Sequence, residues 1–204
     1  MSSREPGAGG PSATRRGKLI VISGPSGAGK TSICNALLEQ LLDAVWSVSE
    51  TTRRERPGED SGHCYEFVTR EEFEAREAAG AFLESAEYIG ERYGTPRRPV
   101  EEALARGQNV VMEIDVQGGM QVAEKVPDSV RIFVLPPDND SLRSRLEGRR
   151  TEATEQLARR LAKADGEIAT ARDSGCYQHF VVNDCLETTI AEVKAIIQKE
   201  SGTA

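Results

Sequence analysis

No apolar run in this 204-residue chain approaches the roughly 20 residues of a membrane span, and its N-terminus lacks the apolar stretch of a secretory signal. Neither a membrane partner nor export is expected, and a cytoplasmic location is. Cysteine is scarce and scattered: Cys34, Cys64, Cys176 and Cys185 form no C-x-x-C pair, which argues against both a zinc site and a disulfide framework. Those thiols are expected to be reduced and structural. An overall basic surplus is also missing. With a net charge of −7, the chain has little to exchange for the counterions of a nucleic acid, so no nucleic-acid partner is expected. Positive charge is local instead, in Arg53, Arg54 and Arg56, in residues 92–98, and in Arg149, Arg150, Arg159 and Arg160, an arrangement suited to gripping a few phosphate groups. No internal repeat is visible.

What is present speaks most clearly at Gly24-Pro25-Ser26-Gly27-Ala28-Gly29-Lys30-Thr31, which fits the G-x-x-x-x-G-K-[ST] phosphate loop without a mismatch. The apolar run Leu19-Ile20-Val21-Ile22 precedes it, and a helix-like segment from Ser32 to Leu38 follows, so the loop joins a strand to a helix N-terminus. A chance Gly-rich turn would not need that context. Glycines at 24, 27 and 29 leave backbone N–H groups open to phosphate oxygens, Lys30 adds a mobile positive charge, and the Thr31 hydroxyl suits a magnesium ion.

Further apolar runs at 45–48, 110–114, 130–135 and 179–182 alternate with helix-like segments near 97–106, 118–125, 138–147, 154–172 and 186–199. That rhythm predicts an α/β fold: a doubly wound, mostly parallel sheet with helices on both faces. Residues 50–96 break it with Pro57-Gly58, Ser61-Gly62, Gly90 and Gly94, and are read as a small mixed insertion. The division expected is a flexible tail over 1–17 and a domain over 18–204. Its core is 18–49, 97–147 and 173–204, with the insertion at 50–96 and a lid region at 148–172 that starts with a polar, charged stretch.

Glu113 and Asp115 lie at the end of an apolar strand, two residues apart, and so are expected to face one crevice, where either carboxylate could serve the magnesium shell. Arg53 and Arg56 can converge on one phosphate because a guanidinium fork bonds two oxygens at once, although an arginine-rich loop is more often a solvated surface.

Together these segments resemble the guanylate kinases, which transfer the terminal phosphate of ATP to GMP. Besides the loop, the resemblance rests on residues 48–59, on Gly62, Tyr65 and Phe67, on Phe82-Leu83-Glu84 and Tyr93-Gly94-Thr95, and on residues 113–118. Arg145-Leu146-Glu147-Gly148-Arg149, Arg159-Arg160-Leu161 and Val181-Val182-Asn183-Asp184 complete it, in the family order and at the family spacing. It implies small-molecule substrates: ATP with Mg2+ as donor, and GMP as acceptor, with dGMP expected as an acceptor as well. GMP would be bound by Ser49, Arg53, Arg56, Tyr65, Glu84, Tyr93, Thr95, Glu113 and Asp115. ATP would be bound by Gly24, Pro25, Ser26, Gly27, Ala28, Gly29, Lys30, Thr31 and Ser32, with Asn183 near the adenine. The metal would be served by Thr31 and Glu113, and catalysis by Lys30, Arg53, Arg149 and Arg160. A guanine site needs a carboxylate facing N1–H and N2–H, the part that Glu84 would play, with Ser49 and Thr95 as hydroxyl partners. No general base is obvious, and phosphoryl transfer to an ionised phosphate does not require one.

Three positions depart from the family pattern: Glu50, Ser85 and Arg150. Glu50 could weaken the phosphate grip by repulsion or orient Arg53 through a salt bridge. Two other readings remain, a guanylate-kinase-like binding module without catalysis and a kinase with another acceptor. The intact loop opposes the first, and Glu84 with Ser49 opposes the second.

Overall fold

A computed structural model of the chain describes residues 15–55, 65–88, 90–147 and 154–202. In chain order the elements are β1 (Leu19–Ser23), α1 (Lys30–Gln40), β2 (Ala44–Trp46), β3 (Ser49–Thr51), β4 (Tyr65–Phe67), α2 (Arg70–Ala78), β5 (Phe82–Tyr88) and β6 (Glu91–Pro96). There follow α3 (Arg97–Ala105), β7 (Asn109–Glu113), α4 (Val116–Lys125), β8 (Val130–Leu135), α5 (Asn139–Glu147), α6 (Thr154–Ser174), β9 (His179–Val182) and α7 (Leu186–Ser201).

All five residues of β1 are buried, as a strand covered on both faces must be. It sits at the centre of a five-stranded parallel sheet of order β2-β7-β1-β8-β9. Because side chains alternate along a strand, β1 feeds two cores. Ile20 and Ile22 meet Ile33 and Leu37 of α1 and Val193 and Ile197 of α7 on one face. Leu19 and Val21 meet Val100 and Leu104 of α3 and Val122 of α4 on the other. The C-terminal ends of β1 and β7 therefore open side by side, the place where parallel sheets bind ligands.

A second sheet of order β4-β3-β6-β5 stands beyond that edge, with β3 and β4 parallel and the other pairs antiparallel. Helix α2 covers it. A capping box between Thr69 and Glu72 starts this helix, and Phe73 stacks on Phe82 with ring centroids 4.5 Å apart. The β5–β6 register shifts between Phe82 and Glu84, so Leu83 turns into the central core while Glu84 stays opposite Thr95.

Three expectations change in detail. Strand β2 ends at Trp46, although Ser47 N–H still donates to Val111 O at 2.9 Å. Helix α4 starts at Val116 rather than near 118, because Asp115 caps it and accepts from Gly118 N–H at 2.9 Å. Within the expected tail, Gly17 is already part of the fold: its N–H donates to Leu104 O at 2.9 Å, and a Cβ there would come within 1.9 Å of Gln108 O.

Candidate active site

The loop between β1 and α1 can be built only with glycine at two of its corners. Gly24 has φ 149 and a Cβ on it would lie 2.3 Å from Val134 O; Gly29, the residue preceding α1, has φ 93 and its Cβ would lie 2.3 Å from Asn183 Nδ2. Gly24 thus meets backbone and Gly29 a side-chain amide at close range, and no acidic side chain in the first turn of α1 competes for its N–H groups. Lys30 folds back over the loop, donating to Gly24 O at 2.9 Å and Pro25 O at 3.2 Å. Burial pulls its pKa down, against the opposing pull of Glu113. Thr31 Oγ1 donates to Glu113 Oε1 at 3.1 Å, joining the loop to the end of β7. Ser26, Gly27, Gly29, Lys30, Thr31 and Ser32 line a cavity of about 120 Å³ that Glu113 closes.

Asn183, expected near the adenine, stands directly beneath the phosphate loop. It is 4% exposed, and its Nδ2 donates to Ala28 O at 2.7 Å, supporting the loop from beneath. From above, Arg160 on α6 donates to Ser26 Oγ at 2.6 Å. Arg56, Arg149 and Arg150 lie outside the described residues.

The second sheet supplies the opposite wall. Ser49 and Thr95 hydroxyls lie 3.1 Å apart, and Thr95 Oγ1 donates to Glu84 Oε1 at 2.6 Å. Glu84 is 5% exposed, and burial raises its carboxyl pKa, opposed first by the Thr95 bond and reinforced by the charge of Asp115. Nearby, Tyr65 and Tyr93 meet edge to face with centroids 5.9 Å apart, and the Arg53 guanidinium lies 5.6 Å from the Tyr65 ring and 5.5 Å from that of Phe67. An arginine and two phenol hydroxyls are thereby gathered beside a buried carboxylate.

The expectation for Asp115 needs correction. It is not two residues along a strand from Glu113, because β7 ends at Glu113 and Asp115 is the N-cap of α4. Both nevertheless line one cavity of about 410 Å³ together with Gly24, Ser26 and Lys30 from the loop and Ser49 and Glu84 from the second sheet. Lys163 and Glu167 of α6 and Tyr88 of β5 close the same cavity, and none of these three was singled out from sequence. Lys163 Nζ lies 5.2 Å from the Tyr88 ring centroid across the cleft, and 3.6 Å from Glu167 Oε1. Burial raises the Glu167 pKa, while Lys163 and Lys30 hold it back. The signal was available in the spacing: Arg160, Lys163 and Glu167 fall on one helical face. Of the cysteines, Cys34 is buried, which drives its thiol pKa upward, and Cys34, Cys176 and Cys185 are all free; Cys64 lies outside the described residues. No described helix is long and apolar enough to cross a membrane.

Residues 16–200 match the family model for guanylate kinase. The chain is 49% identical over 185 residues to a guanylate kinase of Symbiobacterium thermophilum, covering 91% of this chain and 86% of that one. It is 48% identical over 185 residues to a guanylate kinase of Lactococcus lactis, covering 91% and 89%. Among solved structures, the crystal structure of guanylate kinase from Anaplasma phagocytophilum superposes with a TM-score of 0.72 at 34% identity, over 92% of this chain and 87% of that one. A phosphate loop facing a buried carboxylate, on a fold shared with these relatives along nearly its whole length, leaves one assignment: the chain belongs to the guanylate kinase family.

Proposed function

We infer that the protein transfers the terminal phosphoryl group of ATP to GMP, and to dGMP, yielding ADP and GDP or dGDP. The observation that carries this reading is the 410 Å³ cavity, lined at once by the phosphate loop and by the Ser49 and Glu84 wall. Two nucleotides could enter it from opposite sides and meet at Lys30.

On the acceptor side, ionised Glu84 accepts from guanine N1–H and N2–H, with Ser49, Thr95 and Asp115 as further polar contacts. Adenine would leave the buried carboxylate unpaired, which is how a hydrogen-bonding site rejects the wrong base by roughly 10⁴. Arg53, Tyr65 and Tyr93 surround the GMP phosphate, and Arg56 belongs with them on the strength of the family resemblance. Residues 50–96 then act as the GMP-binding insertion.

On the donor side, the loop amides from residues 24–32 hold the ATP phosphates. Lys30 exchanges its two loop carbonyls for phosphate oxygens, and its charge follows the transferring group. The Thr31 hydroxyl and the Glu113 carboxylate, already bonded to one another, form a hard-oxygen pair that fits Mg2+ with a largely aqueous shell. Magnesium bound there would neutralise developing phosphate charge. Arg160 stands over Ser26 and with Arg149 would form a lid over the reacting phosphates within residues 148–172. The attacking GMP phosphate oxygen forms a bond to the terminal phosphorus as the bond to ADP breaks; no proton need move. A cytoplasmic place in purine nucleotide recycling follows from those substrates.

The test is turnover with Mg-ATP and, in turn, GMP, dGMP, AMP and UMP. GDP and ADP in equal amounts with little AMP phosphorylation is the expected result. A preference for AMP would overturn the acceptor. GMP binding without turnover would favour the binding-module reading.

A further inference from the structure

Strand β5 is the edge of the second sheet, so its outward backbone groups need a partner that no strand supplies. At Ser85 that partner is one side chain of the central domain. Ser85 N–H donates to Gln121 Oε1 at 3.1 Å, and Gln121 Nε2 donates to Ser85 O at 2.9 Å. A backbone N–H can only donate and a carbonyl can only accept, so the amide orientation is fixed and glutamine imitates a neighbouring strand. The same face of α4 continues the contact. Gly118 and Lys125, three residues before and four after Gln121, meet the two ends of this segment. A Cβ on Gly118 would lie 3.1 Å from Glu84 Oε2, and Lys125 Nζ donates to Phe82 O at 3.2 Å.

The grip falls next to an irregularity in the pairing of β5. Its register against β6 shifts between Phe82 and Glu84, and Phe82 lies opposite Pro96, which has no N–H to donate. Glu84, next to Ser85, is the carboxylate assigned above to guanine. Asp115 caps α4, and Glu113 ends β7 two residues before that cap, so the metal-side carboxylate, the cap and the clamp follow one another over a short stretch of chain.

We propose that Gln121 is a specificity-positioning residue that, through the Ser85 backbone, holds Glu84 at the correct distance from Asp115 and the phosphate loop. This rests on the reading that Glu84 binds guanine. Glu84 then selects the 2-amino group of the base only while the clamp is closed. Ser85 adds a second restraint, its hydroxyl donating to Glu77 Oε1 at 2.6 Å.

The experiment compares Gln121→Met, which keeps length and loses both bonds, with Gln121→Glu, which keeps the acceptor for Ser85 N–H and sets an oxygen against Ser85 O. Each is assayed with GMP and with inosine monophosphate, whose base lacks the 2-amino group. Thermal melting checks folding. The expected result for both variants is a KM for GMP raised about tenfold, kcat within about twofold, KM for ATP unchanged, and a preference for GMP over inosine monophosphate reduced several-fold. A lower melting temperature with the preference intact would mean a merely structural clamp and would overturn the proposal; if Gln121→Met does not fold, Gln121→Glu alone decides it by the same ratio. Glu84→Gln is measured in parallel. Should it leave the GMP KM unchanged, the guanine assignment fails and this inference with it. If it raises that KM while the Gln121 variants do not, only the clamp fails.

Discussion

Asn183→Ala tests whether the loop is held from below or the adenine is read from the side. The Asn183 amide donates to Ala28 O at 2.7 Å, and Ala28 has no exposed surface, so water cannot replace the lost donor. A buried acceptor left unsatisfied costs about 1–3 kcal/mol. In a domain of this size that corresponds to a fall in melting temperature of roughly 2–12 °C. Released from below, the loop no longer presents its amides in register, so kcat/KM for ATP should fall about tenfold or more, because misplacement of an ångström in such a cradle is costly. GMP affinity measured without ATP should be unchanged, since the Glu84 wall belongs to the other sheet. Asn183→Asp sharpens the test, because it preserves shape and sets an oxygen against Ala28 O. The assays are thermal melting and steady-state kinetics with ATP and GTP as alternative donors. A variant with wild-type stability and a changed ratio of ATP to GTP use would refute the loop-support argument and restore the adenine contact.

Lys30→Ala should lower kcat by about 10²–10³, in line with removal of a charge that stabilises the transition state, and leave GMP binding without ATP intact; a near wild-type rate in the coupled ADP assay would contradict the loop assignment. Because burial raises the Glu84 pKa and guanine needs the ionised form, kcat/KM for GMP should rise with pH through a value above the ordinary carboxylate range, and Glu84→Gln should abolish that limb. Stability of the unliganded protein should move the opposite way: a carboxyl raised on folding contributes stability below its unfolded pKa of about 4.3 that is lost as pH rises through the folded value, so Glu84→Gln should gain in melting temperature over wild type as pH increases. For the contact across the cleft, a double-mutant cycle of Lys163→Ala and Tyr88→Leu on kcat/KM should give a coupling of about 0.5–1 kcal/mol, and additive effects would show that the cation–π pair does not assist closure.

The parts of this protein legible in the sequence are those where backbone geometry dictates residue type over a short span. Gly24 and Gly29 are required by positive φ and by atoms 2.3 Å from an imagined Cβ, so the loop is visible as a pattern. The alternation of strands and helices is visible because each element carries its own period. What stays hidden depends on partners distant in the chain. Asn183 meets Ala28 across 155 positions, and Gln121 meets Ser85 across 36. Asp115 was misplaced for a local reason: an acidic residue two positions beyond Glu113 satisfies both strand alternation and helix capping, and the hydrogen bond from Gly118 N–H decides for the cap.

Glu50 shows where the boundary between legible and hidden falls within a single residue. Set among the phosphate-binding residues, it could be imagined repelling GMP or orienting Arg53, but Ser49 lines the nucleotide cavity and strand alternation sends the next side chain to the other face of β3. That much needed only the period of a strand. Its partner needed the fold: Glu50 is 4% exposed and pairs with Arg76 on α2, beneath the second sheet. Burial raises its pKa in spite of that arginine, and its other oxygen, Oε2, has no hydrogen-bond partner among the described residues. A carboxylate held this way binds helix to sheet only while Arg76 is present, since removing one member of a buried pair leaves an uncompensated charge. Arg76→Met should therefore destabilise the protein by about 1–3 kcal/mol at neutral pH, whereas Glu50→Gln with Arg76 intact should cost less, Arg76 being half exposed and able to turn to water. Equal losses from the two substitutions, read by chemical denaturation, would show that the pair acts as an ordinary surface salt bridge, and GMP turnover in Glu50→Gln close to wild type is the accompanying sign that this residue serves the frame of the site and not its chemistry.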